Sequence, residues 1–463
     1  MGWKNREELL EYARMLEGRS VSEANGEHLA YGDYLGESAP VYGEIYRGKG
    51  SFGEFLEEKY FGKENDNLSK ADFSDVGIEL KAVPLKTNNN GVVRVKERIV
   101  LNKFRYCDIV NEQFDSSHFI LKNGVLLLVF YFHNNTLLPE DKEIDLVDIW
   151  EVLKHDIEQI RADWELIVAK VRAGKAHEIS EGDTLYLGAC TKGATAASSM
   201  QKQPYSDIKA PGRALCFKVS YANMIYHLLR QEKDKRPQVA ESSIYGKDRK
   251  WIPLEKRIHQ LVDRYVGMTG EEIYAALERK FDKTDKGLYA HVARYMLGFS
   301  SSVKQYYEFE AADIQVKSVR VEANGTVKES MSFKNIPFMD ILYQDWEDSD
   351  FYNELTSKFI FMVFRKCSDR DDYCFKGFLL WNMPADDLDK ARIVWEKAKK
   401  QVLIEDFEHM PGKSESDVAH VRPKGKDSND LVPTSSGEMV KKKCFWLNNS
   451  YIRGILSGAG MID

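Results

Sequence analysis

The chain has 463 residues, 43% of them hydrophobic and 12% aromatic, a composition that suits a folded protein of two or three domains and excludes a disordered one. No apolar run approaches the roughly 20 residues of a membrane-spanning helix, and the N-terminus lacks the hydrophobic segment of a secretory signal, so a cytoplasmic protein without membrane contact is expected. A formal net charge of −7 excludes a protein that coats nucleic acid through bulk charge, though not an enzyme with a local basic cleft.

Taken in chain order, Met1 to Leu16 and Ser51 to Phe61 read as helices, and Val76 to Val83, Arg98 to Asn102 and Val125 to Phe132 as strands. Asp148 to Arg172 reads as one long helix, with Trp150, Leu153, Ile157, Ile160, Trp164, Ile167 and Val171 at helical spacing. The polar stretch 231–250 reads as a linker between a domain at 1–230 and another at 251–463. Beyond it, helices are expected at Leu254 to Val266 and Thr269 to Phe281, and strands at Ile314 to Val321 and Phe359 to Phe364. The six cysteines (Cys107, Cys190, Cys216, Cys367, Cys374, Cys444) show no metal-ligand spacing and read as free thiols in a reducing compartment.

The two halves repeat one order of features. Ile78-Glu79-Leu80-Lys81 is echoed by Ile314-Gln315-Val316-Lys317, and the apolar strand Leu126 to Phe132 by Phe359 to Phe364. Helices around Trp164 and Trp395 follow, then closing strings at Cys216 to Ile225 and Phe445 to Ile452. A duplicated domain is the natural reading. Where the first copy has Glu79 the second has Gln315, a neutral amide that ligates divalent cations poorly. The second copy is therefore expected to lack whatever ion-dependent chemistry the first supports.

In the first copy, Asp72 is followed seven residues later by Glu79-x-Lys81. On a strand, Glu79 and Lys81 share one face, so two carboxylates can hold an ion while an ammonium stands beside an attacked phosphate. Glu57, at the margin of the helical stripe Phe52, Phe55, Leu56 and Tyr60, adds a third hard oxygen donor. Asp72, Glu79 and Glu57 together suit Mg²⁺, which would activate water and neutralise charge on the phosphorus centre. Lys81 would stabilise that charge, and Lys122 precedes the next apolar strand and can point into the same cleft. The small, polar segment from Cys190 to Arg213 offers Thr191, Lys192, Lys202, Lys209 and Arg213 to phosphates or base edges. Arg422 and Lys424 form a matching basic loop in the second half. No zinc-type histidine pair, phosphate-binding glycine loop or serine-hydrolase elbow occurs.

These motifs resemble the family joining the mismatch-repair nicking enzyme MutH to type II restriction endonucleases that cut at GATC. The resemblance rests on Lys49-Gly50-Ser51-Phe52-Gly53-Glu54-Phe55-Leu56-Glu57, then Asp72, Gly77-Ile78-Glu79-Leu80-Lys81 and Ser117-His118 with Lys122. Asp163-Trp164-Glu165, Thr191-Lys192-Gly193-Ala194 and Phe217-Lys218 complete it, over roughly residues 45 to 230. It implies a restriction-endonuclease-like PD-(D/E)xK fold of α/β (α+β) class, in two tandem MutH-like domains. It implies Glu57, Asp72, Glu79, Lys81 and Lys122 as the catalytic set with Mg²⁺, and Thr191-Lys192 as readers of GATC, with Lys218 in the closing DNA-binding segment. The MutH branch has an arginine where this chain has Cys190, and a tyrosine tied to sensing adenine methylation where it has Cys216. Both departures count against hemimethylation-dependent nicking. In the larger restriction enzymes of the family, a second, inactive copy resembles an effector domain for another GATC site.

The expected protein is thus a Mg²⁺-dependent type II restriction endonuclease acting on double-stranded DNA at GATC, 5′ of the G, as a monomer or transient dimer on DNA. A methylation-directed repair nickase and a non-cleaving GATC-binding protein are the alternatives, and a carbohydrate or nucleotide hydrolase fits less well.

Overall fold

The computed structural model describes residues 2–24, 51–63, 70–87, 91–134, 136–152, 156–192, 199–234, 242–303, 305–368, 371–425, 430–434 and 436–462. Lys49-Gly50, Leu153, residues 235–241 of the expected linker and residues 193–198 with Gly193-Ala194 lie outside them. The chain divides into two compact units, Met1–Val239 and Ala240–Asp463.

In the first unit, helix α1 (Arg6–Arg14) is started by Asn5, whose side chain accepts from Glu8 N at 2.9 Å. Helix α2 begins as an α-helix at Ser51–Phe55 and widens into a π turn at Leu56–Tyr60. Strand β1 (Glu79–Thr87) starts three residues after the expected Val76. The cause is Gly77, whose φ of 68° turns the chain first. Strands β2 (Val93–Val95) and β3 (Ile99–Phe104) follow, then helix α3 (His118–Asn123) and strand β4 (Val125–Phe132).

The long helix expected from Asp148 is corrected by the structure: Ile144–Glu151 is strand β5 and helix α4 begins only at Ile157 (Ile157–Arg172). Trp150 pairs with Leu126 across the β4–β5 ladder instead of joining the helical stripe. Its spacing from Ile157 mimics two helical turns, and alternation along β5 was the competing signal. Strands β6 (Leu187–Thr191), β7 (Met200–Gln203), β8 (Ser206–Pro211) and β9 (Arg213–Phe217) and helix α5 (Val219–Asp234) complete the unit.

Two sheets and a hairpin result: β2-β1-β4-β5, β3-β9-β6 and β7-β8. β1 runs parallel to β4 and every other pairing is antiparallel. Leu126 through Phe130 are all fully buried, so β4 carries apolar side chains on both faces. Each such side chain contributes about 1.5–3 kcal/mol over its exposed state.

The second unit repeats this wiring. Helix α6 (Leu254–Val262), the short α7 (Gly270–Ala276) and α8 (Leu288–Met296) precede strand β10 (Gln315–Val321). Then come β11 (Met331–Asn335), α9 (Asp350–Leu355), β12 (Phe359–Lys366), β13 (Tyr373–Trp381) and α10 (Ala385–Leu403). Strands β14 (Ala419–Pro423), β15 (Leu431–Pro433), β16 (Met439–Lys441) and β17 (Lys443–Leu447) and helix α11 (Asn449–Gly458) close it. The sheets are β10-β12-β13 and β11-β17-β14, with a β15-β16 hairpin, and β10 is parallel to β12. Each therefore has a counterpart in β1-β4-β5, β3-β9-β6 and β7-β8.

The expected free thiols also need correcting. Cys367 and Cys374 form a disulfide across the β12–β13 turn, with Cα atoms 5.6 Å apart, while Cys107, Cys190, Cys216 and Cys444 are free. Seven residues of sequence separation gave no hint that a hairpin brings the two together. Among the described residues no helix is long and apolar enough to cross a membrane.

Candidate active site

The left-handed Gly77 folds residues 73–78 into a tight turn in which Phe73 N donates to Ile78 O at 2.8 Å and Ile78 N to Phe73 O at 3.2 Å. That turn sets Asp72 against the start of β1. Leu80 N donates to Asp72 Oδ2 at 3.0 Å, and Asp72 N donates to Glu79 Oε2 at 3.1 Å. Two carboxylates seven residues apart are thus locked together through the main chain.

Three ammonium groups meet them. Lys81 Nζ lies 2.7 Å and Lys122 Nζ 3.5 Å from Glu79 Oε1, and Lys63 Nζ lies 2.8 Å from Asp72 Oδ1. Lys122 arrives from the end of α3, whose N-cap Ser117 accepts from Ile120 N at 3.3 Å. Lys63 was not singled out from the sequence. It follows Gly62, which leaves the π turn with a φ of 60°, and its own N donates to Glu57 O at 2.8 Å. A lysine beyond a helix end carries no distinguishing pattern, so only the fold could reveal it.

The charges respond to this packing. Burial raises the Glu57 pKa to about 7, helped by the negative charge of Asp72 and opposed by Lys63 and Lys81. Burial also lifts Glu79, against Lys81. At Asp72 burial is outweighed by Lys63 and Lys81, and the carboxyl sits below its ordinary value. The structure therefore brings Glu57, Asp72, Glu79, Lys81 and Lys122 into one electrostatic cluster. As it stands, no three acidic, histidine or cysteine side chains among the described residues are drawn together tightly enough to hold an ion. The donor set still fits a hard divalent cation: two buried or half-buried carboxylates linked through main-chain N–H groups, with a third near enough to feel their charge.

The expected DNA-contacting residues separate into two groups. Thr191 and Lys192 stand half-buried at the end of β6, with Lys192 N donating to Gly212 O at 2.8 Å. Lys202 and Lys209 are exposed on the β7–β8 hairpin, and Arg422 and Lys424 are exposed around the end of β14. The Arg422 guanidinium stacks 3.7 Å over Trp446, and Lys424 Nζ donates to Phe333 O at 2.7 Å. Arg213 and Lys218 are not on the surface. Both are 6% exposed: Arg213 donates to the carbonyls of Ala189 and Ile179, and Lys218 to Thr184 O at 3.2 Å. They brace the β6–β9 ladder from inside, because an unpaired cation there would be costly. Asp163, quoted only as part of a motif, has a similar task, accepting from the N–H groups of Leu185, Tyr186 and Leu187 and from Gln159.

The second copy shows the same frame with other residues. Asp313 takes the left-handed position of Gly77, with φ 48°, and Ile314 N donates to Phe309 O at 2.8 Å. Glu308 then stands where Asp72 does and Gln315 where Glu79 does. Glu308 is turned to Ser243 Oγ at 2.5 Å and Ile244 N at 3.0 Å, and Gln315 Nε2 donates to Asp313 Oδ1 at 2.7 Å. Lys317 keeps the place of Lys81. Counted from the capping serines Ser117 and Ser349, Glu354 stands at the place of Lys122. Counted back from the left-handed Gly62 and Gly298, Glu57 is matched by the buried Ala293, and Lys63 is matched by the buried Phe299.

A family model described as "DNA mismatch repair enzyme MutH" matches residues 61–163 and again 297–393, two segments that begin at corresponding positions of the two copies. The type II restriction enzyme Sau3AI of Staphylococcus aureus is 32% identical over 94% of this chain and 95% of its own length. This chain belongs to the MutH-like family of type II restriction endonucleases. MutH mismatch-repair proteins are similar over less of it: that of Shewanella woodyi is 23% identical over 38% of the chain and 78% of its own length, and that of Vibrio parahaemolyticus is 27% identical over 42% and 83%. The match along nearly the full length sets this two-unit chain with the restriction branch of the family.

Proposed function

We propose that this protein is a Mg²⁺-dependent type II deoxyribonuclease that hydrolyses both strands of double-stranded DNA at GATC, 5′ of the G, through one centre at Glu57, Asp72, Glu79, Lys81 and Lys122. The observation that carries the reading is the locked pair Asp72–Glu79 with Lys81 and Lys122 converging on one Glu79 oxygen. Asp72, Glu79 and Glu57 would hold the ion, whose chemistry when bound is to make water a better nucleophile and draw charge from the phosphate. Lys81 and Lys122 then oppose the negative charge that builds on the phosphate oxygens as water adds to phosphorus and the P–O bond breaks. The main-chain bonds to Asp72 and Glu79 keep both carboxylates oriented before DNA arrives, so little reorganisation is left for the reaction itself.

Lys192 is the first candidate for a base contact, at the mouth of the β6–β9 ladder beside the exposed hairpin that carries Lys202 and Lys209. The second unit would bind another GATC site as an effector. Its substitutions Gln315 and Ala293, at the places of Glu79 and Glu57, support a copy that has lost ion ligands and kept the frame, and Glu354 removes the ammonium of Lys122. The enzyme is proposed to work in the cytoplasm, as a monomer or transient dimer on DNA.

The test is sequencing of DNA ends after incubating unmethylated plasmid with Mg²⁺ and either the wild type or Glu79→Gln. Four-base 5′ GATC overhangs from the wild type and none from the variant are expected. Uncut or only nicked plasmid would refute the restriction activity.

A further inference from the structure

Each oxygen of the Asp72–Glu79 pair already has a donor. Asp72 Oδ2 and Glu79 Oε2 are taken by main-chain N–H groups, which cannot move away without undoing the turn. The oxygens whose partners are side chains, able to swing aside, are Asp72 Oδ1, held by Lys63, and Glu79 Oε1, held by Lys81 and Lys122. Lys81 and Lys122 have a part in the proposed chemistry. Lys63 has none, yet its ammonium holds the Asp72 oxygen that no main-chain group fixes.

The pair is not a loose surface contact. The Lys63 side chain is 21% exposed and that of Asp72 12%, so each charge is compensated in part by the other. Lys63 is also positioned by the element that carries Glu57, through the bond from Lys63 N to Glu57 O. Three carboxylates (Glu57, Asp72, Glu79) face three ammonium groups (Lys63, Lys81, Lys122), and with Glu57 titrating at about 7 the ammonium charge already matches or exceeds that of the carboxylates before any ion enters. In the second copy Ala293 and Gln315 replace Glu57 and Glu79, the acid kept at the place of Asp72, Glu308, is turned to Ser243 and Ile244, and the place of Lys63 is taken by the buried Phe299.

We propose that Lys63 is an internal competitor for the divalent ion: it holds Asp72 Oδ1 in ion-free protein and releases it when a DNA phosphate offers its ammonium another anion. Resting on the reading of Asp72 and Glu79 as ion ligands, it makes ion binding depend on DNA. A divalent charge entering such a site leaves excess positive charge, and the phosphodiester offsets it as it arrives. Ion and DNA then strengthen each other's binding by the same factor, as linkage requires. Lys63 is in this sense a positioning residue.

The experiment is calorimetric titration of the full chain with Ca²⁺, with and without a duplex containing GATC, for the wild type, K63Q, K63R and D72N. The wild type is expected to bind Ca²⁺ about tenfold more tightly with duplex present. K63Q should bind about tenfold more tightly than wild type without DNA and lose most of the duplex effect, while K63R stays close to wild type. K63Q affinity equal to or weaker than wild type without DNA overturns the proposal. So does a wild-type affinity that is unchanged by duplex, whatever the state of the variants. Unchanged Ca²⁺ affinity in D72N would instead remove the ligand reading on which the proposal stands. Melting curves of each variant confirm that the comparison is between folded proteins.

Discussion

Gly77 and Asp313 hold the same left-handed turn, φ 68° and 48°, two residues before Glu79 and Gln315. Glycine adopts that conformation freely, whereas an aspartate there is strained and is retained by its bonds to Gln315 and to Ser357 Oγ, the latter at 2.7 Å. The second turn is therefore bound into its own network, and one substitution does not free it. Gln315→Glu is expected to leave the second copy unable to cleave, because Glu308 remains committed to Ser243 and Ile244 and Glu354 still stands at the place of Lys122. The check is cleavage by a chain that combines Gln315→Glu with the inactivating Glu79→Gln. Linear plasmid from that double variant would refute it.

Glu57 gives a stability signature that depends on pH. Its folded pKa of about 7 lies above the ordinary 4.5, so folding takes up protons between the two values. The contribution is fully present below about pH 4.5 and is lost as pH rises through about 7. Glu57→Gln should then be more stable than wild type near pH 8 by about 1–2 kcal/mol, the shift being discounted for the partial exposure of the carboxyl. The gain should vanish near pH 4, where both side chains are neutral. Urea unfolding at the two pH values measures this, and a gain that does not vary with pH would contradict it.

Arg213 and Lys192 should separate in mutants although both were expected at DNA. Arg213→Ala leaves the Ala189 and Ile179 carbonyls without their donor inside the ladder and should cost about 2–4 kcal/mol of stability. Lys192→Ala should leave the melting temperature within a few degrees and weaken binding to GATC duplex by about 1–3 kcal/mol. Melting curves beside fluorescence anisotropy decide the matter. Lys192→Ala binding as well as wild type would remove that residue from the interface.

Asp163 should behave as a structural acid. Asp163→Ala removes the acceptor of three consecutive N–H groups at the entry to β6 and is expected to destabilise by about 3–5 kcal/mol. Ion affinity per folded molecule should not change, since Asp163 is absent from the Asp72–Glu79 cluster. A selective loss of Ca²⁺ binding in a well-folded variant would contradict this.

Removing residues 240–463 should leave a weaker enzyme that gains nothing from a second GATC site. Comparing cleavage of one-site and two-site plasmids by the two chains tests this, and full activity with retained two-site stimulation in the truncated chain would exclude an effector role.

Much of the centre was legible in the sequence because its parts are local. Asp72, Gly77, Glu79 and Lys81 fall within ten residues, and strand alternation alone sets Glu79 and Lys81 on one face. The repeat was legible through its strings, and Gln315 marked the altered copy. What stayed hidden depends on tertiary neighbours. Lys63 and Asp72 meet only after the turn closes, Arg213 and Lys218 look like DNA-binding cations until the ladder buries them, and the pairing of Cys367 with Cys374 follows from a hairpin register. Trp150 misled because seven residues fit two helical turns as readily as a strand and its loop.

The helix that carries Glu57 ends at Tyr60 and its counterpart at Met296; each is followed by one residue and a left-handed glycine. The first of these helices ends in a π turn where the second stays α-helical. Inserting or deleting one codon in such a helix rotates everything before it by about 100° relative to everything after, so the smallest in-frame change can move a side chain into or out of a cleft while the sheets beneath stay as they are. An ancestral doubled gene could in this way assign cutting to one half and sensing to the other by local edits, without building a second fold.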